Sequence, residues 1–136
     1  MREMTVEAVL DQIGPVTDFV NEYLTELGCP NRVRIQIDVA IDELFSNIAR
    51  YAYSPGRGTA TVRAEVEEDP RCVAVTFIDQ GKPFDPLKAN IPDTTALPAG
   101  LRPIGGLGLI MVKKTMDDIS YRYQNGKNIL TIRKKI

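Results

Sequence analysis

Three short segments carry residue types and spacings that could do chemistry. Asp42-Glu43-Leu44-Phe45-Ser46-Asn47 sets a carboxylate and an amide four residues apart, so on a helix Glu43 and Asn47 share one flank, off the apolar stripe. A carboxylate can take up a proton, and an amide oxygen can ligate a hard cation such as Mg²⁺. Asp79-Gln80-Gly81-Lys82-Pro83-Phe84-Asp85 follows an apolar run. An ionised Asp79 only accepts hydrogen bonds and can hold an exocyclic amine, while Gly81 lets a flat ring approach the backbone. Gly105-Gly106-Leu107-Gly108-Leu109 leads into a second apolar-periodic run, Ile110 to Met116. Glycines at a helix start let N–H groups approach an anion, and the helix dipole adds its positive end, so this stretch reads as a phosphate grip. Taken singly, each segment also has a plainer meaning. The first could be a solvated acidic face, with Asp38 and Asp42 beside it; the second a strand-ending turn; the third loop punctuation.

The elements that must position these residues follow from periodicity. Met4 to Leu10 alternates through Val6, Ala8 and Leu10, which predicts a short strand. Ile13, Val16, Val20, Leu24 and Leu27 recur at helical spacing, and Gly28 and Pro30 end that helix. Asn31 is the expected cap of a second helix, whose apolar face reads Ile37, Ile41, Leu44, Phe45, Ile48 and which runs to about Tyr53. After a turn at Ser54 to Gly58, strands are expected over Thr59 to Glu67 and Cys72 to Ile78, joined at Asp69-Pro70; the second, denser in apolar residues, belongs at the sheet centre. Gln80 to Ile104 holds five of the nine prolines and lacks periodicity, which predicts a long loop, either a functional lid or a disordered insert. A helix from Gly106 to about Met116 precedes two strands, Ile119 to Tyr123 and Ile129 to Arg133, joined by the hairpin signal Asn125-Gly126. This order implies an α+β fold: a two-layer α/β sandwich, a mainly antiparallel mixed sheet with helices packed on one face.

Composition narrows the function classes. At 136 residues the chain fits one domain with a single core. Seventeen basic against eighteen acidic residues give a net charge of −1, which argues against a broad nucleic-acid surface. No apolar run has the length of a membrane span, and no secretory signal opens the chain. Cys29 and Cys72 lie far apart without CxxC spacing and read as buried thiols in a reducing cytoplasm. With no histidine, a Ser-His-Asp triad and a His-ligated zinc site are excluded.

Taken together, Glu43-x-x-x-Asn47, Asp79-x-Gly81-x-Pro83-Phe84-Asp85 and Gly105-Gly106-Leu107-Gly108-Leu109 resemble the three nucleotide-binding boxes of the GHKL ATPase superfamily, which unites gyrase, the ninety-kilodalton heat-shock chaperones, histidine kinases and mismatch-repair proteins. More narrowly, Asp42 to Ala49, Tyr51-Ala52-Tyr53, and Gly106 to Leu109 with Met116-Asp117-Asp118 behind it resemble the small anti-sigma-factor serine/threonine kinases of bacteria. The resemblance spans nearly the whole chain and implies a single histidine-kinase-like ATPase domain over residues 1–136. It implies ATP and Mg²⁺ as ligands. Asp79 would hydrogen-bond the adenine amino group with Gly81 flanking the base. Asn47 would ligate Mg²⁺, Gly105, Gly106, Leu107 and Gly108 would form the phosphate-binding turn, and residues 80–104 would be the lid. Glu43 would orient or deprotonate the attacking hydroxyl. Arg102, Lys82 and Lys113 are candidate phosphate cations, though each reads more readily as a surface charge. A threonine often follows the glycine of the last hairpin in such proteins; Lys127 stands there, which puts one polar contact near the adenine in doubt.

The resemblance implies a partner-switching kinase that phosphorylates a STAS-type anti-sigma-factor antagonist and sequesters a sigma factor, as a cytoplasmic homodimer without direct contact to nucleic acid or membrane. An ATP-binding module that sequesters a partner with little or no turnover is the alternative. It would need Asn47 and Asp79 but not Glu43. A histidine kinase is disfavoured because the chain offers no phosphoacceptor histidine.

Overall fold

The computed structural model describes residues 1–87 and 106–136. Strand β1 spans Arg2–Glu7, helix α1 Ile13–Glu26 and helix α2 Asn31–Asn47. Strands β2 (Thr59–Glu67) and β3 (Cys72–Asp79), helix α3 (Gly106–Thr115), and strands β4 (Asp118–Gln124) and β5 (Lys127–Lys135) complete the chain. The segment 88–104 of the expected long loop, and with it Arg102, lies outside the described residues, as does Gly105.

Helix α1 buries Val16, Val20 and Leu24, one residue per turn. It ends where the sequence places Gly28, which adopts a positive φ of 70°. The Gly28 N–H bonds the Thr25 carbonyl at 3.1 Å and the Cys29 N–H the Leu24 carbonyl at 3.0 Å, a Schellman closure. The expected cap of α2 is corrected. Pro30, with extended ψ of 144°, stands at the cap position, and Asn31 is the first helical residue. Its side-chain oxygen accepts from Arg34 at 2.8 Å instead of from the backbone. The first strand is also shorter than expected. Ala8 leaves the ladder to donate to the Gly58 carbonyl at 2.9 Å, and Leu10–Gln12 makes a single 3₁₀ turn into α1.

The five strands form one sheet in the order β1-β2-β3-β5-β4. Every neighbouring pair is antiparallel. The sheet is therefore antiparallel throughout, not mixed. Strands β3 and β4 do run in the same sense, but β5 returns between them and pairs with both. Strand β3 is central, as its apolar density implies, and is buried along nearly all its length. The hairpin joining β4 and β5 turns at Asn125 and Gly126, with φ of 55° and 76°, the two positive values of a type I′ turn.

Alternation along the strands separates two faces. Val62, Val75, Phe77, Leu130 and Ile132 face the helices and share a core with Ile37, Ile41 and Phe45 of α2. The opposite face is polar: Thr76 and Thr131 pair their hydroxyls at 3.0 Å, and Arg133 bridges Glu67 and Asp118. One covered face and one polar face is the ordinary state of an antiparallel sheet. Asp79 and Asn128 have the parity of Phe77 and Leu130, so both polar side chains project into the layer between sheet and helices.

Candidate functional site

The α-helical geometry of α2 stops at Asn47. Ile48–Ala52 continues as a π turn, where the sequence alone predicts an unbroken helix to about Tyr53. This wider turn, the ends of β3 and β5 and the segment after Asp79 enclose a cavity of about 380 Å³. Its wall includes Asn47, Asp79, Lys82, Phe84, Tyr121 and Asn128. The volume lies in the range of small-molecule sites, roughly 300–1,000 Å³. Of the residues singled out in the sequence, Asn47 and Asp79 meet across this cavity. Gly81 lies in the turn directly after Asp79.

Asp79 ends β3, is 5% exposed, and pairs in register with Asn128. One of its oxygens, Oδ1, accepts from the Gly81 N–H and from the Asn128 amide, both at 2.9 Å. No described residue donates to Oδ2, the oxygen left to receive a ligand's amine. Asn128 is the residue that sequence reasoning missed. Its amide also donates to the Lys82 carbonyl at 2.9 Å, while its own carbonyl accepts from the Tyr121 hydroxyl at 2.5 Å and the Phe84 N–H at 3.1 Å. Lys127, where the sequence left a polar contact in doubt, is followed by Asn128, and this side chain lies beside Asp79. The available signal was an asparagine on the inward parity of an apolar strand, two residues before Leu130 and four before Ile132. Gly81 has a second reason to lack a side chain: a Cβ there would collide with the Ala52 carbonyl.

Glu43 does not line the cavity. It sits one turn before Asn47, facing α3, and a Cβ on Gly108 would run into its carboxylate. Helix α3 therefore rests on α2 at this glycine. Gly106 and Leu107 lie in the first turn of α3, ahead of that contact. One Glu43 oxygen, Oε1, is buried without a hydrogen-bond partner among the described residues. Burial pushes the Glu43 carboxyl above the ordinary carboxylate range, Asp42 adds to the push, and Arg50 and the Asn47 amide offset part of it. Of the candidate phosphate cations within the described residues, Lys82 lines the cavity and Lys113 is exposed on α3.

The raised Glu43 titration has a testable sign. The folded state holds this proton more tightly than the unfolded chain. The resulting stability is present below the unfolded carboxylate value and is lost as pH rises through the folded one. Between about pH 4 and 7, wild type should lose stability relative to Glu43→Gln, which cannot ionise. Denaturant midpoints of both proteins across that range would read the difference; a gap that did not change with pH would refute the raised titration.

A helical layer over one antiparallel sheet, with a cavity lined by a buried strand-end aspartate and a helix-end asparagine, defines an α+β domain with a candidate ligand site. Comparison with known proteins gives the family. The histidine kinase-like ATPase domain matches residues 6–134, and the chain belongs to that family. The serine/threonine-protein kinase BtrW of Bordetella bronchiseptica is 30% identical over 101 residues, covering 74% of this chain and 70% of that one. The serine-protein kinase RsbW of Halalkalibacterium halodurans is 30% identical over 129 residues, covering 91% of this chain and 76% of that one. Among solved structures, the histidine kinase AdeS of Acinetobacter baumannii aligns with 99% of this chain and 68% of its own at 15% identity, with a TM-score of 0.49. The family implies ATP as the ligand.

Proposed function

We propose that this protein is an ATP-dependent serine/threonine kinase that phosphorylates an anti-sigma-factor antagonist of the STAS type. Through the same switch it would sequester a sigma factor, acting as a homodimer. The observation that carries the reading is the position of Glu43: a carboxylate made more basic by burial, one helical turn from the cavity amide Asn47 and packed against the helix that begins at Gly106. A module that only binds nucleotide has no use for it.

The residues fit the ligands the family implies. Asp79 Oδ2, to which no described residue donates, would accept the adenine amine. Asn47 offers one amide oxygen to a cation. Among the described residues no group of three or more His, Cys, Asp or Glu could hold a metal alone. Sharing Mg²⁺ between one protein ligand and the ligand's phosphates is that ion's usual arrangement. Asn47 would hold Mg²⁺ there, and the ion would supply charge neutralisation for the phosphates. The α3 N-terminus, which begins at Gly106 and runs through Leu107 and Gly108, would present N–H groups and the positive end of its dipole to them. Glu43 orients the substrate hydroxyl and takes its proton. Phosphoryl transfer asks mainly for positioning and charge stabilisation, and this set supplies both. The phosphate placed on the antagonist adds about −1.5 to −2 charges at an interface, enough to release it and free the kinase for sigma factor.

The test is transfer of label from γ-labelled ATP to a purified antagonist in the presence of Mg²⁺. Label on a serine or threonine of the antagonist supports the reading. Partner binding with no transfer would support the binding module instead. That outcome has one structural feature in its favour, because Glu43 is tucked against Gly108 and does not open into the cavity.

A further inference from the structure

We infer that Tyr53 is a positioning residue for nucleobase selection. The inference rests on the adenine placement proposed above and concerns how the base-reading turn is held. Asp79 can read an amine only if the backbone after it stays in one conformation. Three successive N–H groups follow it, and each is tied. The Gly81 N–H bonds Asp79 itself at 2.9 Å. The other two are held by one dipeptide at the end of the π turn. The Gln80 N–H donates to the Tyr53 hydroxyl at 2.7 Å, and the Lys82 N–H donates to the Ala52 carbonyl at 2.9 Å.

The phenol is itself anchored. It donates to the Thr59 carbonyl at 2.6 Å, at the start of β2, so its single proton is committed and its lone pairs face Gln80. The ring has a seat made by a missing side chain, since a Cβ on Gly58 would overlap it. Burial raises the Tyr53 titration, which keeps the phenol protonated and able to donate. Tyr53 does not line the cavity; it acts through the Gln80 peptide.

The consequence concerns which base is accepted. Adenine presents an amine to Asp79 where guanine presents a carbonyl oxygen, which a fixed carboxylate repels. A turn released from Tyr53 can swing the carboxylate aside or rotate an N–H toward that oxygen, and the penalty against guanine falls. Tyr53→Phe keeps the ring on Gly58 and removes only the two hydrogen bonds. ATP affinity should fall about tenfold, the scale of one well-made polar contact, while GTP affinity holds or rises, so the ATP:GTP ratio falls about tenfold. Tripolyphosphate with Mg²⁺, which has no base, should bind both proteins equally.

Calorimetry with these three ligands on wild type, Tyr53→Phe and Asp79→Asn decides the matter. Equal losses for ATP and GTP would mean that Tyr53 merely supports the fold, and the inference would fall. Should Asp79→Asn weaken ATP while Tyr53→Phe leaves the ratio untouched, the inference fails and the adenine placement stands. If Asp79→Asn has no effect on ATP, both fail together.

Discussion

Phosphoryl transfer should fall by about a hundred- to ten-thousand-fold when Glu43 becomes alanine, the range that a positioned general base contributes. Affinity for ATP with Mg²⁺ should change by less than about threefold, because Glu43 lies outside the cavity wall. The separation follows from where the carboxylate sits. Asn47, one turn further along α2, lines the cavity and keeps its place when Glu43 is shortened, since α2 is held in the core by Ile37, Ile41, Leu44 and Phe45. Loss of Glu43 also removes a buried oxygen that has no partner among the described residues, so the variant should fold at least as well as wild type. Single-turnover transfer to the antagonist, with ATP affinity measured on the same preparation, reads both quantities. Undiminished transfer would remove Glu43 from the chemistry. A parallel loss of ATP binding would mean that it holds the nucleotide instead.

Asp79→Asn should weaken ATP binding by about ten- to a hundredfold, the cost of roughly 1–3 kcal/mol for a buried polar group facing the wrong partner. The direction of the new amide is set by the protein. The inner position receives donors from both Gly81 and Asn128, so it must keep an oxygen. The amide nitrogen is then forced outward, where it presents a donor to the donor of the adenine amine. The same geometry predicts that a base with a carbonyl in that position, as in inosine triphosphate, gains affinity relative to ATP. Titration of both nucleotides checks it; equal ATP affinity in wild type and variant would mean that the base binds elsewhere.

Much of this arrangement was legible in the chain because the signals were local. The stripe Ile37, Ile41, Leu44, Phe45 announced α2 and thereby fixed Glu43 and Asn47 to one flank. Asn125-Gly126 announced the last hairpin, and its two positive φ values are those the dipeptide favours. What was not legible depends on contacts between residues far apart in sequence. Asn128 matters because strand register sets it opposite Asp79, a pairing across 49 positions. Gly81 could be assigned to ligand approach from sequence, but the contact that forbids a side chain comes from Ala52. The cap of α2 was misplaced by one residue because Pro30 already takes the extended conformation that Asn31 was expected to adopt. The α+β fold with a mainly antiparallel sheet was expected and is observed, but the order of elements does not reveal that β5 inserts between β3 and β4 and so makes every pair antiparallel.

The π turn at Ile48–Ala52 makes chain length a constrained quantity between Asn47 and the turn after Asp79. A π turn closes its hydrogen bonds over five residues where an α-helix uses four, so it holds one residue more than a regular helix would need there. Deleting one of Ile48, Ala49, Arg50 or Tyr51 would let the helix regularise and would turn Ala52 and Tyr53 by about 100° relative to Asn47, the angular step of one helical residue. An insertion or deletion here would therefore displace Asn47 relative to the turn after Asp79, which Ala52 and Tyr53 hold.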